Sequence, residues 1–230
     1  MTRSITEIGA TTVARGARAA PAFCLGLALL AGCGALPDKP SRTTLYDFGP
    51  GALATSTVGS NATANAALPP ITLADLDTSA TRLESAALHY RLGYADPHEL
   101  RPYSGSRWTV PPTQLVRQRL RDALAERRTV LGTLEAANIA RAEGRTTDVL
   151  RISLEEFSQY FESAGSSVGL VRVRATLVRG SPTGERVLGQ RLVTVQRPAP
   201  TADAAGGVKA LVAASDAAVA EITAWVDQAR

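Results

Sequence analysis

The tetrapeptide Leu30-Ala31-Gly32-Cys33 sets the terms on which the rest of the chain can fold. It closes a short apolar run, Ala19 to Leu30, behind a segment that carries Arg3, Arg15 and Arg18 against one acid, Glu7. A positive start, an apolar centre of roughly 7–15 residues and small residues at the cut make a secretory signal. The run is too short to cross about 30 Å of hydrocarbon, which takes roughly 20 residues. A cysteine directly after Leu-Ala-Gly makes the stretch look like a bacterial lipobox. In that reading Leu30, Ala31 and Gly32 are recognised by the signal peptidase, Cys33 receives diacylglycerol, and its new amine is acylated after cleavage. The plain alternative is an ordinary secretory peptide in which Cys33 is incidental.

Removal of residues 1–32 leaves 198 of the 230 residues, enough for one domain of ordinary size. It also takes three Arg and one Glu, so the formal charge falls from +4 to near +2. The basic balance is thus partly a property of the leader, and the clustered basic face that nucleic-acid binding needs gains little from it. Cys24 goes with the leader, and Cys33, once acylated, has no free thiol. No disulfide framework, cysteine metal site or cysteine nucleophile is then available, and the domain must cohere through its core alone. The apolar fraction of 45% is that of a folded globular chain. The only non-protein groups expected are the covalent lipids on Cys33.

Residues 33–41 read as a lipidated tether, with Pro37 and Pro40 blocking helix. Gly34 stands where an aspartate would signal retention in the inner membrane. By resemblance to Gram-negative lipoproteins the chain is sorted to the periplasmic face of the outer membrane. A single domain, residues 42–230, follows. Thr43 to Phe48 reads as a strand, and a low-complexity insert of Ala, Ser, Thr, Asn and Gly occupies about 51–68. Ile71 to Leu76 and Ala87 to Tyr94 alternate apolar and polar, as strands do.

After Arg107-Trp108-Thr109-Val110-Pro111-Pro112, a helix with Thr113 as its N-cap puts Val116, Leu120, Ala123 and Leu124 on one face. Arg117, Arg119, Arg121, Arg127 and Arg128 on its other faces read as solvated. Val149–Glu155, Gly169–Val178 and Val187–Val195 read as neighbouring antiparallel strands, the second and third separated by a Ser181-Pro182-Thr183-Gly184 turn. Val208, Leu211, Val212, Ala218, Val219, Ile222, Trp225 and Val226 form the apolar stripe of a last helix, Gly207–Gln228. The fold class is therefore α+β: a mixed, largely antiparallel sheet covered on one face by two amphipathic helices, a two-layer sandwich.

The chemistry is sparse. His89 and His98 are the two histidines, and no nucleophile elbow, phosphate loop or zinc-helix motif occurs. Glu155, Glu156 and Glu162 could pair as carboxylates, but at a strand end beside Phe157, Tyr160 and Phe161 they read as a solvated edge. Without a nucleophile–base pair the expectation is a non-enzyme with no metal. Trp108, Tyr103 and Arg107, with Tyr90 and Tyr94 nearby, are candidates for a contact surface, against core packing as the alternative for the aromatics.

Several stretches in order resemble the PqiC-type auxiliary lipoproteins of ABC transport systems. These are Thr44-Leu45-Tyr46-Asp47-Phe48-Gly49, Tyr90-Arg91, Tyr103 to Trp108 with Pro111-Pro112, Leu150 to Phe157 with Phe161, Val173 to Leu177, Asp203 to Leu211, and Trp225. The insert after Phe48 departs from the pattern. The resemblance implies a non-enzymatic outer-membrane lipoprotein that supports membrane integrity. Its implied partners are an inner-membrane ABC transporter and an MCE-domain protein that conducts phospholipids or other lipids across the periplasm. A homo-oligomer is one arrangement it allows, and only Cys33 carries over as a functional residue. Two further readings stay open: a periplasmic carrier holding an acyl chain between sheet and helices, and an activator of an envelope-assembly enzyme.

Overall fold

The computed structural model describes residues 42–50, 68–78, 81–181 and 184–229. The leader, Cys33, Gly34, the rest of the tether, residues 51–67 of the insert, and Pro182 and Thr183 of the turn lie outside the described residues. In chain order the strands are β1 (Thr44–Tyr46), β2 (Ile71–Leu73), β3 (Ala87–Leu92), β4 (Asp96–Trp108), β5 (Val130–Leu131), β6 (Asp148–Ser163), β7 (Ser166–Ser181) and β8 (Gly184–Pro198). The helices are α1 (Pro112–Ala125), α2 (Thr133–Glu143) and α3 (Ala204–Gln228), with a single 3-10 turn at Thr81–Glu84. The strands form one mixed sheet with helices packed on it, as the periodicity requires, but the described residues of the domain hold three helices where the sequence predicts two.

The sheet is organised on β6. One of its edges pairs antiparallel with β7 along nearly its whole length, and β7 in turn pairs antiparallel with β8. The other edge is shared. Residues 148–150 take β2 in parallel and residues 159–161 take β3 in parallel, with a bridge from Asp77 to Ser153 between them. β5 extends the β2 branch, and β4 then β1 extend the β3 branch. Leu150, Ile152 and Leu154 alternate inward until a register shift between Leu154 and Glu156 resets the phase and sends Phe157 into the core. That bulge corrects the expectation that the strand ends at Glu155: it runs on to Ser163.

β2 departs from alternation, since Ile71, Thr72 and Leu73 are all buried. It lies between β5 and β6 with α2 packed against it, and the Thr72 hydroxyl meets that of Thr147, so its polar residue is satisfied inside. Leu68, assigned from sequence to the end of the insert, is buried as well.

The helix α1 begins at Pro112 with Pro111 at the cap position. The expected N-cap, Thr113, sits instead in the first turn and is buried; proline suits that turn because its missing N–H would lack a partner anyway. Val116, Leu120 and Leu124 join the core. The arginines of α1 and the turn after it are not a solvated face. Arg117 pairs with Asp75 at 3.1 Å, Arg119 with Asp216 of α3 at 3.0 Å, and Arg127 and Arg128 both with Asp227 at the end of α3. Arg121 donates to the Val130 carbonyl at 3.3 Å. These pairs, rising together in number, show that α1 and α3 run in the same direction.

α3 is capped by Asp203, whose carboxylate accepts from the Gly206 amide at 2.8 Å. That bond, then the Thr201 hydroxyl, holds the Asp203 carboxyl below the usual carboxylate range. The helix lies directly on the sheet. A Cβ at Gly169 of β7 would stand 2.4 Å from the Ala210 carbonyl carbon and 2.5 Å from the Leu211 amide nitrogen. Only glycine permits that approach.

Candidate interaction surface

The three residues singled out as a contact surface part company in the structure. Trp108 is 1% exposed, with its ring edge-on to Phe48 at 5.8 Å and to Phe157 at 5.6 Å. It is core, because the last residue of β4 packs between Phe48 and the bulge-shifted Phe157. Its indole nitrogen has no hydrogen-bond partner. Tyr103 is partly buried, its ring 4.6 Å from that of Tyr90. The Tyr103 hydroxyl donates to Gln159 Oε1 at 2.8 Å, and Gln159 Nε2 donates to Ser167 Oγ at 2.8 Å. This chain of side chains latches β4 to β6 and β7. Burial, then the neighbouring Tyr90 and Asp203, pushes the Tyr103 hydroxyl up to about 12. Arg107 alone of the three is exposed, standing opposite Leu45 of β1 and Ala87 of β3. Tyr94, in the β3–β4 turn, is 52% exposed.

Two of the three carboxylates, Glu155 and Glu156, are engaged by cations. Glu155 accepts from Arg174 at 2.7 Å. Glu156 accepts from Arg91 at 3.0 Å and 3.3 Å and from the Ser158 hydroxyl at 2.7 Å, with only 11% and 16% of the Arg91 and Glu156 side chains exposed. The predicted solvated edge is, at Glu156, a largely buried ion pair in the middle of a strand. Glu162 accepts from Ser166 in the β6–β7 turn. Desolvation, then the charge of Arg82, lowers the pKa of His89, which keeps its ring neutral near pH 7. Among the described residues no group of three or more His, Cys, Asp and Glu side chains could hold a metal ion. No helix of the described residues is long and apolar enough to cross a membrane.

What the domain offers is surface. The sheet face away from α3 carries a polar lattice: Arg151 with Glu185 at 2.7 Å, Arg174 with Glu155 and Gln190, and Gln190 with Thr176. Among the described residues β8 pairs only with β7, which leaves its outer edge without a described partner strand along 15 residues, with Val187 62% and Leu192 49% exposed. At the opposite end of the sheet Leu45 of β1 is 63% exposed. Sequence reasoning passed over these aliphatic residues because their strands alternate correctly; only the neighbour order shows which strand is an edge. The interface of sheet and α3 is filled where it can be gauged: Gly169 meets the helix backbone, and a Cβ at Gly207 would fall 2.0 Å from Gln159 Oε1. There is no room for an acyl chain at that end of the layer.

The family model described as "ABC-type transport auxiliary lipoprotein component" matches residues 46–224. Among solved structures, a Xanthomonas campestris protein superposes with a TM-score of 0.58 at 21% identity, covering 68% of this chain and 82% of that one. An uncharacterised protein superposes with a TM-score of 0.53 at 11% identity, covering 80% and 99%. At such identities the likeness concerns the fold. No curated protein sequence matches the chain.

Proposed function

We propose, since the chain belongs to the ABC-type transport auxiliary lipoprotein component family, that it is the outer-membrane docking subunit of an MCE-type system moving phospholipids or other lipids across the periplasm. The family is one of transport accessories and not a known enzyme class. The observation that carries the reading is the span of the family match, residues 46–224, over a domain in which Glu155 and Glu156, two of the three carboxylates that could have paired, are tied to arginines. Acylation of Cys33 would add the anchor. Each buried methylene contributes about 0.8 kcal/mol, and two chains already hold a protein on a bilayer. Confinement to one plane raises the effective concentration at which a partner arriving from the inner membrane is met. The partners in this reading are an MCE-domain protein and the inner-membrane ABC transporter, and a homo-oligomer is compatible with the outer edge of β8.

The test is cross-linking mass spectrometry on native membranes, with wild type beside Cys33→Ala. Cross-links to an MCE-domain protein that weaken in the variant are expected. Cross-links confined to cell-wall synthases would move the reading to an envelope-assembly activator. A carrier is disfavoured by the filled α3–sheet contact, and stoichiometric co-purifying phospholipid would restore it.

A further inference from the structure

Leu45 is a large aliphatic side chain, 63% exposed on the first described strand, and three basic residues flank it. Arg42 lies three residues before it and is exposed. The β1–β4 register sets Arg107, also exposed, directly across from it. On its other side is an open cleft of about 450 Å³, lined among others by Leu45, Phe48, Val208, Val212 and the exposed Lys209. The acids of this cleft are engaged: Asp47 accepts from the Gly49 amide at 2.8 Å, and Asp216 is paired with Arg119 at 3.0 Å. An aliphatic tip flanked by Arg42, Arg107 and Lys209 is the composition of a bilayer contact, with the apolar group at the acyl boundary and the cations at phosphates.

The covalent chain supplies the second argument. Eight residues, 34–41, lie between Cys33 and Arg42, which makes nine Cα–Cα steps. Fully extended they reach at most about 32 Å. An acyl anchor at Cys33 therefore keeps Arg42, and with it this end of the sheet, within about 32 Å of the bilayer. We infer that Leu45, with Arg42, Arg107 and Lys209, is the surface on which the domain rests against a phospholipid bilayer containing anionic headgroups. The inference rests on the lipoprotein reading of Cys33 and adds to it an orientation: β1 and the first turns of α3 toward the membrane.

The test uses the full lipidated protein in nanodiscs of phosphatidylethanolamine with a minority of phosphatidylglycerol. With Cys33 acylated and Cys24 removed with the leader, Leu45→Cys introduces the sole free thiol for an environment-sensitive dye. Leu134→Cys and Leu192→Cys, at positions 79% and 49% exposed on other parts of the surface, serve as controls. The dye at position 45 is expected to shift to the blue and lose most of its emission to spin-labelled lipids, while the controls keep theirs. Arg107→Glu with Lys209→Glu should restore much of the emission at 45. Intact mass reads the acyl groups in the same samples. An acylated protein in which the dye at 45 is quenched no more than the controls overturns the inference alone. A chain without acyl mass on Cys33 overturns the lipoprotein reading and this inference with it.

Discussion

Trp108 tests the core and the candidate surface together. Truncation to alanine empties a site that is 1% exposed and abandons two edge-to-face contacts, with Phe48 and Phe157. Such a change costs about 3–5 kcal/mol. In a domain of this size 1 kcal/mol is worth about 2–4 °C in Tm, so Trp108→Ala should melt roughly 6–20 °C below wild type. Trp108→Phe is the sharper experiment, because two terms oppose. The smaller ring leaves roughly 40 Å³, about 1 kcal/mol at ~24 cal/mol per Å³, besides the lost transfer energy of the missing atoms. Against this, the indole nitrogen has no partner, and removing a buried unpaired donor relieves about 1–3 kcal/mol. The net should lie close to zero, within about 4 °C of wild type. Thermal unfolding followed by far-ultraviolet circular dichroism reads both variants without depending on tryptophan emission. A phenylalanine variant as unstable as the alanine one would refute the account of the indole nitrogen. An alanine variant as stable as wild type would refute the burial itself and return Trp108 to the surface.

Three further outcomes are expected. Gly169→Ala drives a Cβ into the backbone of Ala210 and Leu211, neither of which can rotate away, and should cost about 1–3 kcal/mol in urea unfolding, whereas Gly165→Ala, where the Cβ meets nothing within 4 Å, should lie near wild type. Glu156→Gln leaves Arg91 largely buried without its counter-charge and should cost about 3 kcal/mol; a double-mutant cycle with Arg91→Met that shows no coupling would refute the pairing. Tyr103 titrates at about 12 in the folded state and near the ordinary 10 when unfolded. Its contribution is therefore whole below pH 10 and is lost as pH rises toward 12, so Tyr103→Phe should be less stable overall but flatter over that window. Equal slopes for the two proteins would count against the burial of the Tyr103 hydroxyl.

The parts of the fold that could be read from sequence are those in which one face is buried without interruption. Leu150, Ile152 and Leu154 of β6, with Val171, Val173 and Ala175 of β7, announce their strands by strict alternation. What escaped notice had a physical reason in each case. The bulge at Glu155–Glu156 breaks the phase, so a continuing strand looks finished. β4 shows no alternation because Trp108 is its only fully buried residue, and α2 gives no apolar stripe because it has no fully buried residue at all. The arginines of α1 look solvated because their acids, Asp75, Asp216 and Asp227, lie up to a hundred residues away. For the candidate surface, Arg107 kept the exposure expected of it, while Trp108 and Tyr103 turned inward. An aromatic in a strand serves core and contact equally well until its neighbours are known.

The shared edge of β6 also imposes a timetable. Ile71 of β2 pairs with Asp148, and Tyr90 of β3 with Gln159. In a chain that emerges amino-terminus first, β2 appears 77 residues ahead of the strand it will lie beside, Ile71 against Asp148. Throughout that interval Ile71, Leu73 and Leu88, all fully buried at the end, have no finished core to enter. The meander from β6 to β8 and the helix after it need only near neighbours and can form as soon as they emerge. The pairing thus runs backwards along the chain: the last third supplies the edge on which β2 and β3 come to rest, and a chain interrupted before residue 148 leaves both without their partner strand.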